Sequence, residues 1–402
     1  MLACLQDPDL WQEFFNYKQS LQLLTKREEA ALQTFLDEKR YLPIASGIAA
    51  GTYVFSCPER KALNKLGSAK KRIVYTYTGD ETLVLKLLAF LLHRYDSELS
   101  PNCYAFRQHI GPRRAFADVL SNPALPQLCS FKSDITNYFN SIDITLLEPI
   151  LRRVIPDEKL VSFLLRLLQD DRALWQGEVI HEKKGVMAGT PIAPFLANLY
   201  LMEMDAYFHR QGVCYARYSD DIILFDAAEQ MPAHIAAYRG FLEKYRLQTN
   251  PAKEQFTHPG EAWTFLGFSF DSGRIDISAV AVKKLMGKIR RAARSLRRWM
   301  LAKEADPERA LRAFNKKFNR KFYAAQLGRE LCWARWFFPL INSTEALHRI
   351  DSYMQECQRF LVTGRHNKAN YDKVPYETLK RCGYRPLVSA YYQRQTDKKR
   401  AT

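Results

Sequence analysis

Between Cys214 and Phe225 the chain reads CYARYSDDIILF, two short runs of strand-forming residues separated by Ser219, Asp220 and Asp221. That pattern predicts a tight β-hairpin with two adjacent carboxylates at its tip. Side chains alternate along a strand, so the two aspartates cannot face one ligand equally. Asp220 is the expected main metal ligand and Asp221 the auxiliary. An Asp-Asp turn on its own is also an ordinary turn, because Asp favours turns.

Phe131–Ile142 (FKSDITNYFNSI) changes that balance. It runs a strand up to Asp134 and leaves through a turn toward a helix capped near Asp143. Three carboxylates from two neighbouring strand ends can hold two Mg²⁺ ions, which align an attacking 3′-hydroxyl and stabilise charge on a transferring phosphoryl group. The residues expected to hold the ions are Asp134, Ile135, Asp220 and Asp221, with Mn²⁺ as the alternative metal. A third segment, Gly185–Asp205 (GVMAGTPIAPFLANLYLMEMD), opens as a Gly/Pro-rich loop and continues as a helix with Ile192, Phe195, Leu196 and Leu199 inward. Gly189 is expected to permit close backbone approach to a template base or nucleotide, and Pro191 and Pro194 suit a first helical turn.

Charge divides the chain unevenly. Residues 278–402 carry 29 Lys and Arg against 10 Asp and Glu, whereas residues 1–277 are close to neutral. A basic final third suits the grip of a polyanion, since Lys and Arg displace counterions from phosphates. Residues 8–42 place Leu10, Phe14, Leu21, Leu24, Leu32 and Phe35 at helical spacing; Arg72–Tyr77 reads as a strand and Thr82–Tyr95 as a helix. From Ser278 the pattern becomes long basic helices, as in Val282–Met300, where Leu285, Ile289, Ala293, Leu296 and Met300 form an apolar stripe. The expected organisation is a helical leader over 1–49, a catalytic body over 50–277 and a basic helical region over 278–402. The eight cysteines form no C-x-x-C pair, and neither a disulfide framework nor a zinc site is indicated. With no apolar run long enough to span a bilayer, a cytoplasmic protein without membrane contact is expected.

In order and spacing these segments resemble reverse transcriptases. FKSDITNYFNSI is similar to their first catalytic motif, GVMAGTPIAPFLANLYL to the template-gripping motif, and RYSDDIILF to the Y-x-D-D hairpin. The likeness extends to RIVYTY, NCYAFR (Asn102–Arg107), LQTNPAKEQF (Leu247–Phe256) and FLGFSF (Phe265–Phe270). It implies an α+β right-hand polymerase of fingers, palm and thumb, taking an RNA template and deoxynucleoside triphosphates and giving a DNA product.

The resemblance also implies roles. Phe139 takes the place of the bulky gate that excludes a ribose 2′-hydroxyl. Arg72, with Lys70 and Lys71, takes that of the triphosphate clamp, a task suited to a planar guanidinium. Lys253 corresponds to a lysine near the departing pyrophosphate, a candidate general acid. Leu266 and Gly267 correspond to a bend near the primer, and Arg107 to a residue that holds template or triphosphate. Arg290, Arg291, Arg294, Arg297 and Arg298 are the expected nucleic-acid contacts of the basic region, with the stretch Arg359–Lys373 as the second candidate.

Where many reverse transcriptases have Pro-Gln-Gly, this chain has Met187, Ala188 and Gly189. Bacterial defence-associated and abortive-infection reverse transcriptases commonly depart there too, and their resemblance implies synthesis on a dedicated noncoding RNA in antiphage defence, with a homo-oligomer or partner protein. A retron-type enzyme is the nearest competitor; Val362, Thr363 and Gly364 spell its V-T-G, but no N-A-x-x-H stretch precedes Asp134. A group II intron maturase, an RNA-dependent RNA polymerase and a non-catalytic RNA-binding scaffold are the remaining alternatives.

Overall fold

The computed structural model describes residues 1–64, 71–77, 79–108, 110–323 and 332–401, without the side chains of 398, 399 and 401. Lys70 of the expected clamp and the side chains of Lys398 and Lys399 lie outside the described residues. The chain divides into two compact units, Met1–Gly260 and Glu261–Thr402.

The first unit is α+β. Its strands are β1 (Glu59–Asn64), β2 (Lys71–Thr76), β3 (Cys129–Asp134), β4 (Arg172–Trp175), β5 (Glu178–His181), β6 (Cys214–Tyr218), β7 (Asp221–Asp226) and β8 (Gln255–Thr257). They form two four-stranded sheets, ordered β2-β1-β4-β5 and β6-β7-β3-β8. In the second sheet the centre is β7-β3: β7 is apolar on both faces, with Ile222, Ile223, Leu224 and Phe225 all buried, and β3 buries Cys129, Phe131 and Ser133. Burial on both sides explains why β7 reads as a continuous apolar run and not as an alternation.

The leader is three helices, Pro8–Ser20, Lys26–Asp37 and Tyr41–Ala50, rather than one continuous stripe. Leu10, Phe14, Leu32 and Phe35 are buried as expected, and Trp11 with them. Leu21 is 46 % exposed because the first helix ends there. The second helix restarts at a capping box in which Thr25 accepts from the Glu28 amide and Glu28 accepts from the Thr25 amide. Among the described residues, no helix is long and apolar enough to cross a membrane.

The second unit opens with a meander, β9 (Trp263–Phe265), β10 (Phe268–Asp271) and β11 (Arg274–Ile277). Leu266 (φ 50°) and Gly267 (φ 88°) make the two-residue turn between β9 and β10, where positive φ at both positions matches the strand twist. A Cβ on Gly267 would come 3.4 Å from the Phe337 ring. The meander is tied to the helices that follow: the Asp276 carboxylate accepts from Ser343 Oγ at 2.9 Å and the Ala346 amide at 3.1 Å, and Asn342 Oδ1 accepts from the Ile275 amide at 2.7 Å. Compactness therefore divides the chain upstream of Ser278.

The helices of this unit are mainly Ala279–Ala302, Pro307–Tyr323, Glu345–Thr363 and Leu387–Ala401. Ala279–Ala302 starts at Ser278, whose Oγ accepts from the Ala281 amide. It buries Val282, Leu285, Ile289, Ala292, Ala293 and Met300. Leu296 of the expected stripe is half-buried.

Candidate active site

The hairpin β6-β7 is closed by Ser219 and Asp220, with Tyr218 paired to Asp221 across it. Ser219 adopts φ 64°, the positive φ that the first residue of a two-residue hairpin turn requires. On its other edge β7 pairs antiparallel with β3 in a register that sets Asp134 directly opposite Asp221. Directly opposed residues share a face with Cβ atoms roughly 5 Å apart. Asp220 stands at the tip beside them, its carbonyl accepting from the Ile135 amide at 3.1 Å.

The placement bears on the ionisation of the two hairpin aspartates. Burial first, and then the charge of Asp134, raise the pKa of Asp220. Burial and the charge of Asp220 push Asp221 up to about 6, against the counteracting ammonium groups of Lys132 and Lys253. Arg72, exposed on β2, is near enough to pull Asp220 the other way.

Lys253 reaches the cluster through a laid-down loop. Ile135 bridges to Thr249, the Thr136 amide donates to Gln248 O at 2.8 Å and the Asn250 amide to Asp134 O at 3.3 Å. A short 3-10 turn at Pro251–Lys253 then places the Lys253 ammonium on the Asp134 carboxylate. Among the described residues, no three His, Cys, Asp or Glu side chains stand together in a geometry that holds an ion. The donor set nevertheless fits a hard cation: carboxylate oxygens, mutually repelling, one of which already carries an ammonium.

Phe139 is half-buried, its ring edge-on to Phe106 at 6.0 Å and to Tyr138 at 5.8 Å. Phe106, in left-handed backbone at φ 58°, also leans on Tyr218 of the hairpin at 6.4 Å. The Phe139 backbone is gripped by the 185–189 loop. The Val186 amide donates to Phe139 O at 2.9 Å, and Asn140 bridges the Ala188 amide (2.9 Å) to Ile73 O of β2 (3.1 Å). Gly185 is the residue that sequence reasoning passed over: a Cβ there would lie 2.3 Å from Phe139 O.

Gly189 and Arg107 both make close contacts within this unit. The close approach at Gly189 (φ 104°) is to the chain itself, since a Cβ would meet Tyr75 O at 3.0 Å and Val74 Cβ at 3.1 Å. Its neighbour Ala188 accepts from the Tyr75 amide at 2.7 Å, locking the loop to β2. Arg107 donates to the carbonyls of Ser100, Cys103 and Asp96, each at 3.0 Å, and so fastens its own loop. Lys71 is exposed next to Arg72.

The other feature missed in the sequence lies beneath the hairpin. Arg217 and Asp205 are both fully buried, with Arg217 Nε 2.8 Å and Nη2 2.5 Å from the Asp205 carboxylate. Arg217 Nη1 donates to Ser219 O at 3.2 Å, and Tyr215 adds a hydroxyl to Asp205 at 2.7 Å. A lone Arg inside an apolar strand was the available signal, because such a charge needs a buried partner.

In the second unit, Arg290, Arg291, Arg294 and Arg298 are exposed on Ala279–Ala302. Arg297 differs: its Nη1 donates to Leu361 O (3.2 Å) and Val362 O (2.9 Å), closing the end of the helix Glu345–Thr363. Part of its guanidinium is thereby engaged within the unit.

A palm-like sheet that pairs the strand ending in Asp134 with an S-D-D hairpin defines the polymerase class. Residues 63–270 match the family described as Reverse transcriptase (RNA-dependent DNA polymerase), and the chain belongs to that family. Its α+β fold is thus of the right-hand polymerase type. Over 175 residues the chain is 25 % identical to Protein YkfC of Escherichia coli (strain K12), covering 34 % of this chain and 45 % of that protein. It therefore spans less than half the length of that relative. Solved structures similar to it include apo telomerase from Candida tropicalis truncated from its C-terminal domain (TM-score 0.45, 12 % identity, 56 % of this chain and 55 % of that one). Another is Candida albicans telomerase in complex with a TWJ fragment of telomeric RNA (TM-score 0.43, 12 % identity, 87 % and 68 %).

Proposed function

We propose that this protein is an RNA-directed DNA polymerase that makes cDNA by two-metal phosphoryl transfer. The observation that carries the reading is the register opposing Asp134 to Asp221 with Asp220 at the adjoining tip. Asp134, Asp220 and Asp221, with the Ile135 carbonyl, would hold two divalent cations, Mg²⁺ or Mn²⁺, which when bound supply Lewis acidity at the attacking and leaving oxygens. Arg72 faces the triphosphate, with Lys71 beside it, and Phe139 lies against the sugar. Lys253, now on Asp134, carries the proton toward the leaving pyrophosphate. The fingers and palm correspond to 50–277 and the basic thumb to 278–402, with Leu266 and Gly267 at the primer.

Sugar selection tests the reading at Phe139. Phe139→Ala should raise ribonucleotide over deoxyribonucleotide incorporation by about tenfold or more, as the space it leaves admits one hydroxyl. Primer extension with each triphosphate alone measures it, and unchanged discrimination would return Phe139 to a packing role.

The nucleic-acid grip is assigned to Arg290, Arg291, Arg294 and Arg298. Neutralising these four, and leaving Arg297 in place, should flatten the slope of log K against log salt by about 3, given roughly 0.7–0.9 per phosphate contact. Titrations of an RNA–DNA duplex at several salt concentrations read that slope directly.

The departure at Met187, Ala188 and Gly189 supports the finer reading, that synthesis runs on a dedicated noncoding RNA in bacterial antiphage defence. Phage plating on cells carrying the wild type or the Asp220→Ala, Asp221→Ala variant, together with sequencing of co-purified RNA and DNA, tests it. Equal plating would remove the defence role and leave the polymerase.

A further inference from the structure

Arg359, on the helix Glu345–Thr363, is only 3 % exposed. Its Nε donates to Val374 O at 3.1 Å, yet its Nη1 is shut from solvent and meets no acceptor among the described residues. Burying a guanidinium with a donor unsatisfied is costly, and charged groups pay more than neutral ones. The ring of Tyr371, 55 % exposed, lies over the guanidinium at 4.1 Å. Beside it opens a recess of about 320 Å³, lined by Arg359, His366, Asn367, Lys368, Asn370 and Tyr371. The His366 ring is stacked on Phe360 at 4.7 Å and 9°.

Cations and amides on the wall, and an exposed tyrosine ring lying over a guanidinium with an unmet donor, match one chemistry. A phosphate supplies several acceptor oxygens to a planar fork, and a nucleobase stacks on an aromatic face. The volume is at the small end for ligand pockets, suited to a single nucleotide unit. We propose that Arg359 and Tyr371 form a subsite for one nucleotide of a single-stranded nucleic acid, with its phosphate on Arg359 and its base against Tyr371. The phosphate reaches Nη1 by shifting the exposed Tyr371 ring. Glu356, also at the recess, opposes the anion and limits the affinity. The subsite rests on the polymerase reading only for the presence of a nucleic acid.

The test uses the full chain and 12-residue oligonucleotides carrying 5-iodouridine or 5-iodo-deoxyuridine. Photocrosslinking followed by peptide mapping should place the label on Tyr371 or His366. The RNA and DNA arms show which strand is preferred; a label in either supports the subsite. A label confined to Ala279–Ala302, or none at all, overturns it. By anisotropy, Arg359→Lys keeps the charge but loses the fork, so affinity should fall about tenfold with an unchanged salt slope. Glu356→Gln, an exposed change that leaves Arg359 intact, should tighten binding about twofold by removing a like charge from the anion. It decides the matter if Arg359→Lys does not fold, and weaker or equal binding by Glu356→Gln then overturns the subsite. Binding requires no synthesis: a wild type that crosslinks at Tyr371 but makes no DNA overturns the function alone, and one that makes DNA without that crosslink overturns the subsite alone.

Discussion

Replacing Asp220 and Asp221 together by Ala should abolish DNA synthesis, a loss on the order of 10³-fold or more, while the protein stays folded and retains nucleic acid. The loss is large because a metal at such a site supplies several kcal/mol of transition-state stabilisation. The fold should survive because, on the proposed reading, these side chains serve a cation, and without one their charges oppose each other. The sign follows from Asp221. Its pKa in the fold, about 6, lies above its ordinary 3.8, so the folded state holds the proton more tightly than the unfolded chain. That contribution is fully present below about pH 4 and is lost as pH rises through 6. In chelator, Asp221→Asn should therefore be more stable than the wild type at pH 8, by about 1–2 kcal/mol after allowing for solvent screening. The two should converge at pH 4. Urea unfolding at both pH values measures this, and retained polymerisation by a folded Ala pair would end the two-metal assignment.

The second large effect lies where no substrate goes. Asp205→Ala should cost about 3–5 kcal/mol, because it leaves Arg217 charged, unpaired and fully buried. Arg217 also holds Ser219 O, so the damage should reach the hairpin tip and, on the proposed reading, lower activity even where the variant remains folded. A paired change, Asp205→Leu with Arg217→Met, removes both charges and should recover much of the stability, since a buried ion pair is expensive to break but not to replace. It should not recover activity in proportion, because the hold on Ser219 is gone. Denaturant melts beside extension assays separate the two effects. If Asp205→Ala costs less than about 1 kcal/mol, the pair is not what supports the hairpin.

These two predictions differ in how much of each could be read without coordinates. Asp134, Asp220 and Asp221 are legible because each sits in a local pattern, a strand end or a strand–turn–strand, whose geometry follows from neighbours in the chain. The expectation that ranks Asp220 above Asp221 rests on alternation along one strand, whereas the cross-strand partner of Asp134, Asp221, is set by how β3 pairs with β7. Phe139 was placed by motif, but its support by Asn140, Gly185 and Phe106 joins segments far apart in the chain.

Local chemistry along the chain determined the strand ends that carry the carboxylates, the helical leader with its capped break at Thr25, and the concentration of positive charge after Ser278. The tertiary structure alone decided what each polar group meets. It turned Arg107 onto three carbonyls and Arg297 onto a helix end, and set Gly189 against β2. It also joined Arg217 to Asp205 and, among the described residues, left one Arg359 donor without a partner. The reason is physical: a strand or turn is selected by residues a few positions apart, whereas a buried charge is satisfied only by whatever distant segment packing brings within hydrogen-bond reach.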